Sequence, residues 1–122
     1  MSNDATETKL LEDSIERVWN ERDDTRRLSA IAELYDASAR ILEPERSIEG
    51  HEAISAVVAG VLADMPPAFR FEVTWSPASH LGVAMARWQG TASGQILPSG
   101  GDVARVRDGK IAEHFFFFDA QQ

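Results

Sequence analysis

The chain contains no cysteine and a single tyrosine among its 122 residues. The missing cysteine excludes disulfides, thiolate metal sites, iron–sulfur clusters and cysteine nucleophiles. Its three histidines are scattered, with no carboxylates at ligand spacing, so we expect no metal site.

A basic stripe and a long apolar run are also missing. Twenty acidic residues against twelve basic ones give a net charge of -8 and a pI near 4.8, so an anionic nucleic acid or membrane surface is repelled. No apolar run reaches the roughly 20 residues of a membrane-spanning helix, and the N-terminus is acidic where a secretory signal is basic. We therefore expect a cytoplasmic protein that binds neither nucleic acid nor membranes.

The length and composition are those of one globular domain. With 43% hydrophobic and 26% charged residues, the sequence is far from the composition of disordered chains. We expect residues 1–122 to form a single domain with its own core.

Apolar residues recur at helical spacing in three segments of the first half of the chain. In the first, Leu11, Ile15 and Val18 share one face. The second ends on Tyr35, and the third must end before Pro66-Pro67 because proline cannot continue a helix. The predicted helices cover residues 4–20, 25–35 and 51–65.

From residue 69 the apolar period changes to two, which is typical of strands with one buried face. The predicted strands cover residues 69–75, 80–91, 102–107 and 110–118, with short extended pieces at 40–42 and 47–49. A loop at residues 98–101 and the Asp108-Gly109 turn separate the last three strands. Helices followed by an antiparallel meander indicate an α+β fold with three N-terminal helices packed on the sheet.

The last hairpin allows two registers, which differ in the residues that share a face. A two-residue type I′ turn pairs Val103 with His114, whereas a three-residue loop with a bulge at Gly109 places Asp102 opposite His114. Charged side chains prefer the solvated face, so Arg105 marks the outward face of its strand and Glu113 marks that of the next strand. Burial therefore favours the bulged turn, which brings Asp102 and His114 together on the inward face.

The strand predicted over residues 80–91 has small side chains on one face, alternating along it with Trp88. Small residues beside one large ring allow either close packing of a helix on the sheet or a ligand cavity. The residue pattern favours neither interpretation.

The sequence resembles the nuclear transport factor 2-like superfamily, in its SnoaL-like and ketosteroid-isomerase-like branch. Three local phrases carry the resemblance, at residues 35–44, 50–54 and 102–111. The resemblance covers essentially the whole chain. It implies a cone, in which a curved, mostly antiparallel sheet wraps around an internal, mostly apolar pocket.

The resemblance also implies roles for individual residues. Glu43, before Pro44, matches the carboxylate that removes a proton next to a carbonyl, and Asp102 matches an acid that donates to the developing enolate. His114 matches a position on the pocket wall and is a third candidate catalytic residue. The first helix lacks the tyrosine of those isomerases. The remaining pocket-lining candidates are Ile15, Trp19, Val58, Phe71, Val73, Ala86, Trp88, Phe116 and Phe118.

Two functions are compatible with these residues. The first is a cofactor-independent isomerase, cyclase or hydratase that uses general acid–base catalysis on a small apolar carbonyl or polyketide-like substrate. The alternative is a non-catalytic ligand-binding or dimeric interaction module.

The outer face of the sheet carries more apolar side chains than a solvated face should. Members of the family commonly pair through this face, so we expect a homodimer. The apolar residues expected there are Leu81, Val83, Met85, Val103, Phe115 and Phe117.

Overall fold

The computed structural model describes residues 5–119, and the predicted α+β class is confirmed. The elements are helix α1 (Ala5–Ser14), a π-helical turn (Ile15–Trp19), helix α2 (Asp24–Leu34), strands β1 (Tyr35–Glu43) and β2 (Arg46–Glu49), helix α3 (His51–Ala63), and strands β3 (Arg70–His80), β4 (Val83–Ala92), β5 (Gln95–Arg107) and β6 (Lys110–Phe118). None of the helices in this part of the chain is long and apolar enough to cross a membrane.

The six strands form one mixed sheet in the order β2-β1-β6-β5-β4-β3. Strands β3 to β6 form an antiparallel meander, and β1 joins it in parallel beside β6. All three helices pack on the sheet, and the core lies between the two layers. The predicted mostly antiparallel arrangement is therefore correct.

The first helix changes its winding before it ends. Residue 4, its predicted start, lies outside the described residues. Ser14 ends the α-helical part, and the next five residues form a π-helical turn in which Asn20 donates its backbone N–H to the Ile15 carbonyl at 3.1 Å. The Asn20 side chain then makes two hydrogen bonds with the Phe71 backbone, at 2.9 and 2.7 Å. These bonds fix the end of the turn to β3.

The helical spacing predicts Tyr35 as the last residue of α2. In the structure α2 ends at Leu34, and Tyr35 is the first residue of β1. The helical spacing of Leu28, Ile31 and Ala32 places all three on the buried face of α2, and the structure differs from this. Ala32 is exposed, whereas the guanidinium of Arg27 is buried and donates to Ser55 Oγ at 2.9 Å and to the Glu21 carbonyl at 2.7 Å. These hydrogen bonds allow the helix to bury a charged residue against α3.

Several predicted strand boundaries are wrong. Strand β1 spans Tyr35–Glu43 and not only residues 40–42, and β3 continues to His80 beyond its predicted end at residue 75. Residues 98–101 are part of β5 and not a loop, and the strand predicted from His80 begins at Val83, after a turn at Leu81-Gly82. Pro98 is tolerated in β5 because it precedes Gly100, where pairing with β6 starts, so no ladder hydrogen bond to β6 needs its missing N–H. A Cβ on Gly100 would lie 2.6 Å from the Trp88 ring, so glycine is required there by close packing.

The last hairpin combines features of both predicted registers. Arg107 pairs with Lys110 across the two-residue turn, and Asp108 and Gly109 both have positive φ, as a type I′ turn requires. The predicted three-residue loop is therefore wrong. The register shifts between Val106 and Arg105, so Asp102 lies opposite Phe116 and Ala104 opposite His114. The predicted pairing of Asp102 directly opposite His114 is therefore also wrong.

The shift leaves Ala112 as an extra residue in β6, and it changes which side chains face the core. Val106 pairs with Ile111 on one side of it, and Arg105 pairs with Glu113 on the other. Alternation with the outward Glu113 predicts that Ile111 also faces outward, and the bulge is the reason that it is fully buried instead. The same bulge keeps His114 on the inner face.

Candidate active site

Asp102 and His114 form a hydrogen-bonded pair inside the fold. His114 Nε2 lies 2.8 Å from Asp102 Oδ2, and the side chains are 0% and 1% exposed. Asp102 pairs with Phe116 along the ladder, so the imidazole of His114, two residues before Phe116 on the same face of β6, reaches the carboxylate diagonally. The prediction that these two side chains share the inward face is confirmed.

The carboxylate has a second partner on the neighbouring strand. Trp88 donates its indole N–H to Asp102 Oδ1 at 3.0 Å. Since indole nitrogen can only donate, this bond requires an oxygen that accepts. Both oxygens of Asp102 are therefore hydrogen-bonded, which offsets part of the cost of burying the group.

The other nitrogen of the imidazole is bonded to Tyr35. The Tyr35 hydroxyl lies 2.8 Å from His114 Nδ1 and 2.6 Å from Ser14 Oγ, and the Trp19 indole nitrogen lies 3.4 Å from it. Tyr35, Ser14 and Trp19 are all buried. One continuous chain of polar groups thus runs from Ser14 through Tyr35, His114 and Asp102 to Trp88, and we call it the buried polar chain.

Burial raises the pKa of the Tyr35 hydroxyl far above its usual value, because the phenolate would lose its hydration. The hydrogen bonds with Ser14 and Trp19 oppose this effect, and the Asp102 charge adds to it. Tyr35 is therefore a neutral hydroxyl that can donate one hydrogen bond and accept two.

Stacked aromatic rings surround the buried polar chain. The Phe116 ring stacks on Trp19 with centroids 4.7 Å apart and on Trp88 with centroids 5.5 Å apart. Phe71 meets the Trp88 ring edge-on at 4.9 Å. Phe118 continues the cluster from Phe116 at 5.0 Å and is 51% exposed. The aromatic cluster extends from the buried polar chain to the protein surface.

Glu43 is the third predicted catalytic residue, and the structure does not place it in direct contact with the other two. Its carboxylate forms an ion pair with Arg46 of β2, and its side chain is 15% exposed. Ile41 pairs with His114 across β1 and β6, so Glu43 follows two residues along the same face, about 7 Å farther on. It lies toward the end of the sheet where Phe118 is exposed.

Most predicted pocket-lining residues are buried side chains of the core. Val73 differs, because it lines an open depression of about 540 Å³ at the surface, among charged side chains that include Glu72 and Arg70. Neither Asp102 nor His114 lines that depression. The members found in the core are Ile15, Trp19, Val58, Phe71, Ala86, Trp88 and Phe116.

Sequence reasoning missed Ser14 and Tyr35 as members of the site. Ser14 is a polar residue on the buried face of the first helix, three residues after Leu11 and one before Ile15, and this position was the available signal. Tyr35 could not be placed because its hydroxyl meets His114 across 79 residues of sequence. Only the parallel pairing of β1 with β6 brings them together.

Comparisons with known families and structures agree with this architecture. Residues 11–114 match the family model of the SnoaL-like domain. No curated protein sequence matches the chain significantly.

Solved structures share the fold over almost the whole chain. An Agrobacterium tumefaciens protein, provisionally named an isomerase of the SnoaL-like family, superposes with a TM-score of 0.86 at 22% identity, covering 96% of this chain and 100% of its own. A provisionally named ketosteroid isomerase from Kribbella flavida gives 0.73 at 15% identity, covering 96% and 80%. A provisionally named SnoaL-like polyketide cyclase from Jannaschia gives 0.73 at 19% identity, covering 96% and 90%.

Proposed function

The chain belongs to the SnoaL-like domain family, and we propose that it binds a small apolar carbonyl compound and moves a proton on it by general acid–base catalysis. The groups that exchange the proton are Asp102 and His114. The reaction class is isomerisation, cyclisation or hydration, and it needs no cofactor.

The observation that carries this proposal is the burial of the Asp102–His114 pair. Both described hydrogen bonds of the Asp102 side chain are made with ring nitrogens, those of Trp88 and His114. A buried carboxylate loses its hydration, and apolar side chains of similar size usually stabilise a core as well or better. A function for the pair explains why an acid occupies this position.

A carboxylate bonded to an imidazole supplies both halves of a proton transfer. One partner accepts a proton from the carbon next to a carbonyl, the electron pair of the C–H bond moves into the enolate, and the other partner returns a proton. The aromatic cluster supplies apolar walls and keeps water from the reacting atoms, which strengthens every electrostatic interaction there.

A ligand must displace side chains to reach the pair, because Asp102 and His114 are buried. Phe118 supports entry at its end of the sheet, since it is half-exposed while its ring contacts Phe116 and Trp88. Glu43 lies toward the same end, and we propose that it faces the entering carbonyl compound as the predicted third carboxylate.

Two observations favour the alternative, a non-catalytic binding or interaction module. The rings of Trp19, Phe116 and Trp88 already stack on one another inside the fold. On the outer face Phe117 is 54% exposed, whereas Leu81, which was expected there, lies in the turn between β3 and β4 and is 94% exposed. We propose that a second copy of the chain covers the outer face.

The two functions are separated by proton exchange on a simple ketone. 1-Tetralone in D₂O is followed by ¹H NMR, and the enzyme hypothesis predicts faster loss of the hydrogens next to its carbonyl with the protein than with buffer. Asp102→Asn should remove the acceleration, and Asp119→Asn is the matched control because its carboxylate bonds Arg87 and Ser99 instead. Binding without exchange would support the non-catalytic module, and equal exchange by both variants would overturn the role of Asp102.

A further inference from the structure

The buried polar chain has a direction, which follows from counting donors and acceptors. The Trp88 and Trp19 indoles can only donate, and they donate to Asp102 and Tyr35. The remaining bonds, between Ser14, Tyr35, His114 and Asp102, can each run either way. One choice at the Tyr35 hydroxyl fixes all of them.

A phenol is a stronger hydrogen-bond donor than an alcohol, and an imidazole nitrogen is a stronger acceptor than an alcohol oxygen. Tyr35 therefore donates to His114 Nδ1, 2.8 Å away, and accepts from Ser14 Oγ, 2.6 Å away. His114 then carries its proton on Nε2 and donates it to Asp102 Oδ2. Along the buried polar chain, every side-chain N–H and O–H is therefore directed toward the Asp102 carboxylate.

We propose that Tyr35 is a positioning residue that holds His114 in the tautomer with the proton on Nε2. This tautomer keeps the proton on the nitrogen next to Asp102, where the pair exchanges it. The purpose assigned to the tautomer rests on the proposed function, whereas the tautomer itself can be measured without any substrate.

The π-helical turn explains how two donors reach the same Tyr35 oxygen. In an α-helix of 3.6 residues per turn, side chains five residues apart lie about 140° apart around the axis. In a π-helical turn the i to i+5 hydrogen bond brings them to the same side. Ser14 and Trp19 are five residues apart and converge on Tyr35 because residues 15–19 form this turn.

The donor function of Tyr35 is accessible to a selective experiment because the chain has one tyrosine. Growth on 3-fluorotyrosine alters Tyr35 alone and makes its hydroxyl a stronger donor and a weaker acceptor. Protein labelled with ¹⁵N-histidine is then examined by long-range ¹H–¹⁵N correlation. The signals of His114 are those that disappear in His114→Gln.

The proposal predicts an Nε2-protonated pattern for His114 in the unmodified protein. Fluorination should move the Nδ1 resonance away from the position of a free imidazole acceptor, and Tyr35→Phe should move it back or produce a mixture of tautomers. His51, which contacts backbone carbonyls of residues 35 and 36 through Nε2, serves as the internal reference. Circular dichroism checks that the variants fold.

A proton on Nδ1, or no response of His114 to either change at Tyr35, would overturn the positioning role. Neither result would affect the ketone exchange assay, because that assay measures how the rate of hydrogen exchange depends on Asp102 in a protein with Tyr35 intact. Conversely, a protein that fails to exchange 1-tetralone but shows the Nε2 tautomer would retain the assignment and lose the proposed function.

Discussion

Asp102 lies opposite Phe116, two pairs along the ladder from the Ala104–His114 pair, and the carboxylate and imidazole meet diagonally at 2.8 Å. This diagonal arrangement leaves the position opposite His114 to Ala104. The small side chain gives the imidazole room to lie between Tyr35 and Asp102. A larger residue at position 104 would occupy that space.

Asp102→Asn should change the free energy of unfolding by no more than about 1–2 kcal/mol, on the scale of one hydrogen bond. The amide oxygen still accepts from Trp88, and the amide NH₂ group takes the place of the oxygen beside His114 Nε2. The His114 proton must then move to Nδ1, where the Tyr35 hydroxyl accepts it, so each hydrogen bond is kept and the variant no longer buries a charge. Urea denaturation followed by tryptophan fluorescence measures the change. A loss far above this range would mean that the carboxylate mainly stabilises the fold.

Alkaline titration should show no ionisation of Tyr35 at the pH where free tyrosine ionises, near 10, because burial raises its pKa. Absorbance at the phenolate band measures it, and the same protein in concentrated denaturant should titrate normally. Above that pH the unfolded chain releases the proton and the folded protein keeps it, so stability must fall as the pH rises.

Tyr35→Phe is the control for this titration, because it removes the only phenol of the chain. Its stability should depend less on pH in the alkaline range than that of the unmodified protein. A phenol that ionises normally in the folded protein would contradict the burial of Tyr35.

Gly100→Ala should destabilise the protein by about 3 kcal/mol through overpacking. The added Cβ would lie 2.0 Å from the Phe117 carbonyl oxygen and 2.6 Å from the Trp88 ring. Gly60→Ala is the matched control, since nothing lies within 4 Å of a Cβ at that helical position. It should stabilise the protein by roughly 0.5–1 kcal/mol.

Thermal unfolding compares the two glycine variants under the same conditions. Opposite signs are expected, with the Gly100 variant also showing altered tryptophan fluorescence because Trp88 must move. Equal and small effects would mean that the Trp88 ring does not lie against β5 as closely as described.

Val103→Glu should convert the proposed homodimer into a monomer. Val103 pairs with Met85 on one side and Phe115 on the other, so a charge there would be buried in the proposed interface without a partner. Ala32→Glu adds the same charge at an exposed position of α2 and should leave the dimer intact.

Light scattering at micromolar concentration measures the oligomeric state of these proteins. A monomeric unmodified chain would contradict the dimer proposal directly. A Val103→Glu variant that stays dimeric would mean that the copies meet on another surface.

The facing of Asp102 and His114 could be predicted, although the turn that was expected to produce it is wrong. Burial of alternate residues fixes the face of each strand, and Arg105 and Glu113 mark the outward side in both the prediction and the structure. A bulge changes this alternation by one residue wherever it falls. The sequence contains no distinct signal for the bulge at Ala112, so Ile111 was predicted on the wrong face.

Sequence patterns could not predict where Glu43 and Tyr35 lie relative to His114. Both belong to β1, whose extent from 35 to 43 exceeds the predicted piece at 40–42. Propensity for a helix continues through Tyr35, and the change to a strand depends on pairing with β6. Such pairing is a tertiary interaction between segments far apart in the chain.

Local periodicity by itself determined the α+β class, the three helices, the meander and the inward face shared by Asp102 and His114. These features follow from which residues must leave water, and each segment carries that information in its own spacing. The tertiary structure alone decided the π-helical turn, the bulge at Ala112 and the meeting of Ser14, Tyr35 and His114. Those depend on satisfying buried hydrogen-bonding groups on separate elements, and a donor finds its acceptor only when packing brings the elements together.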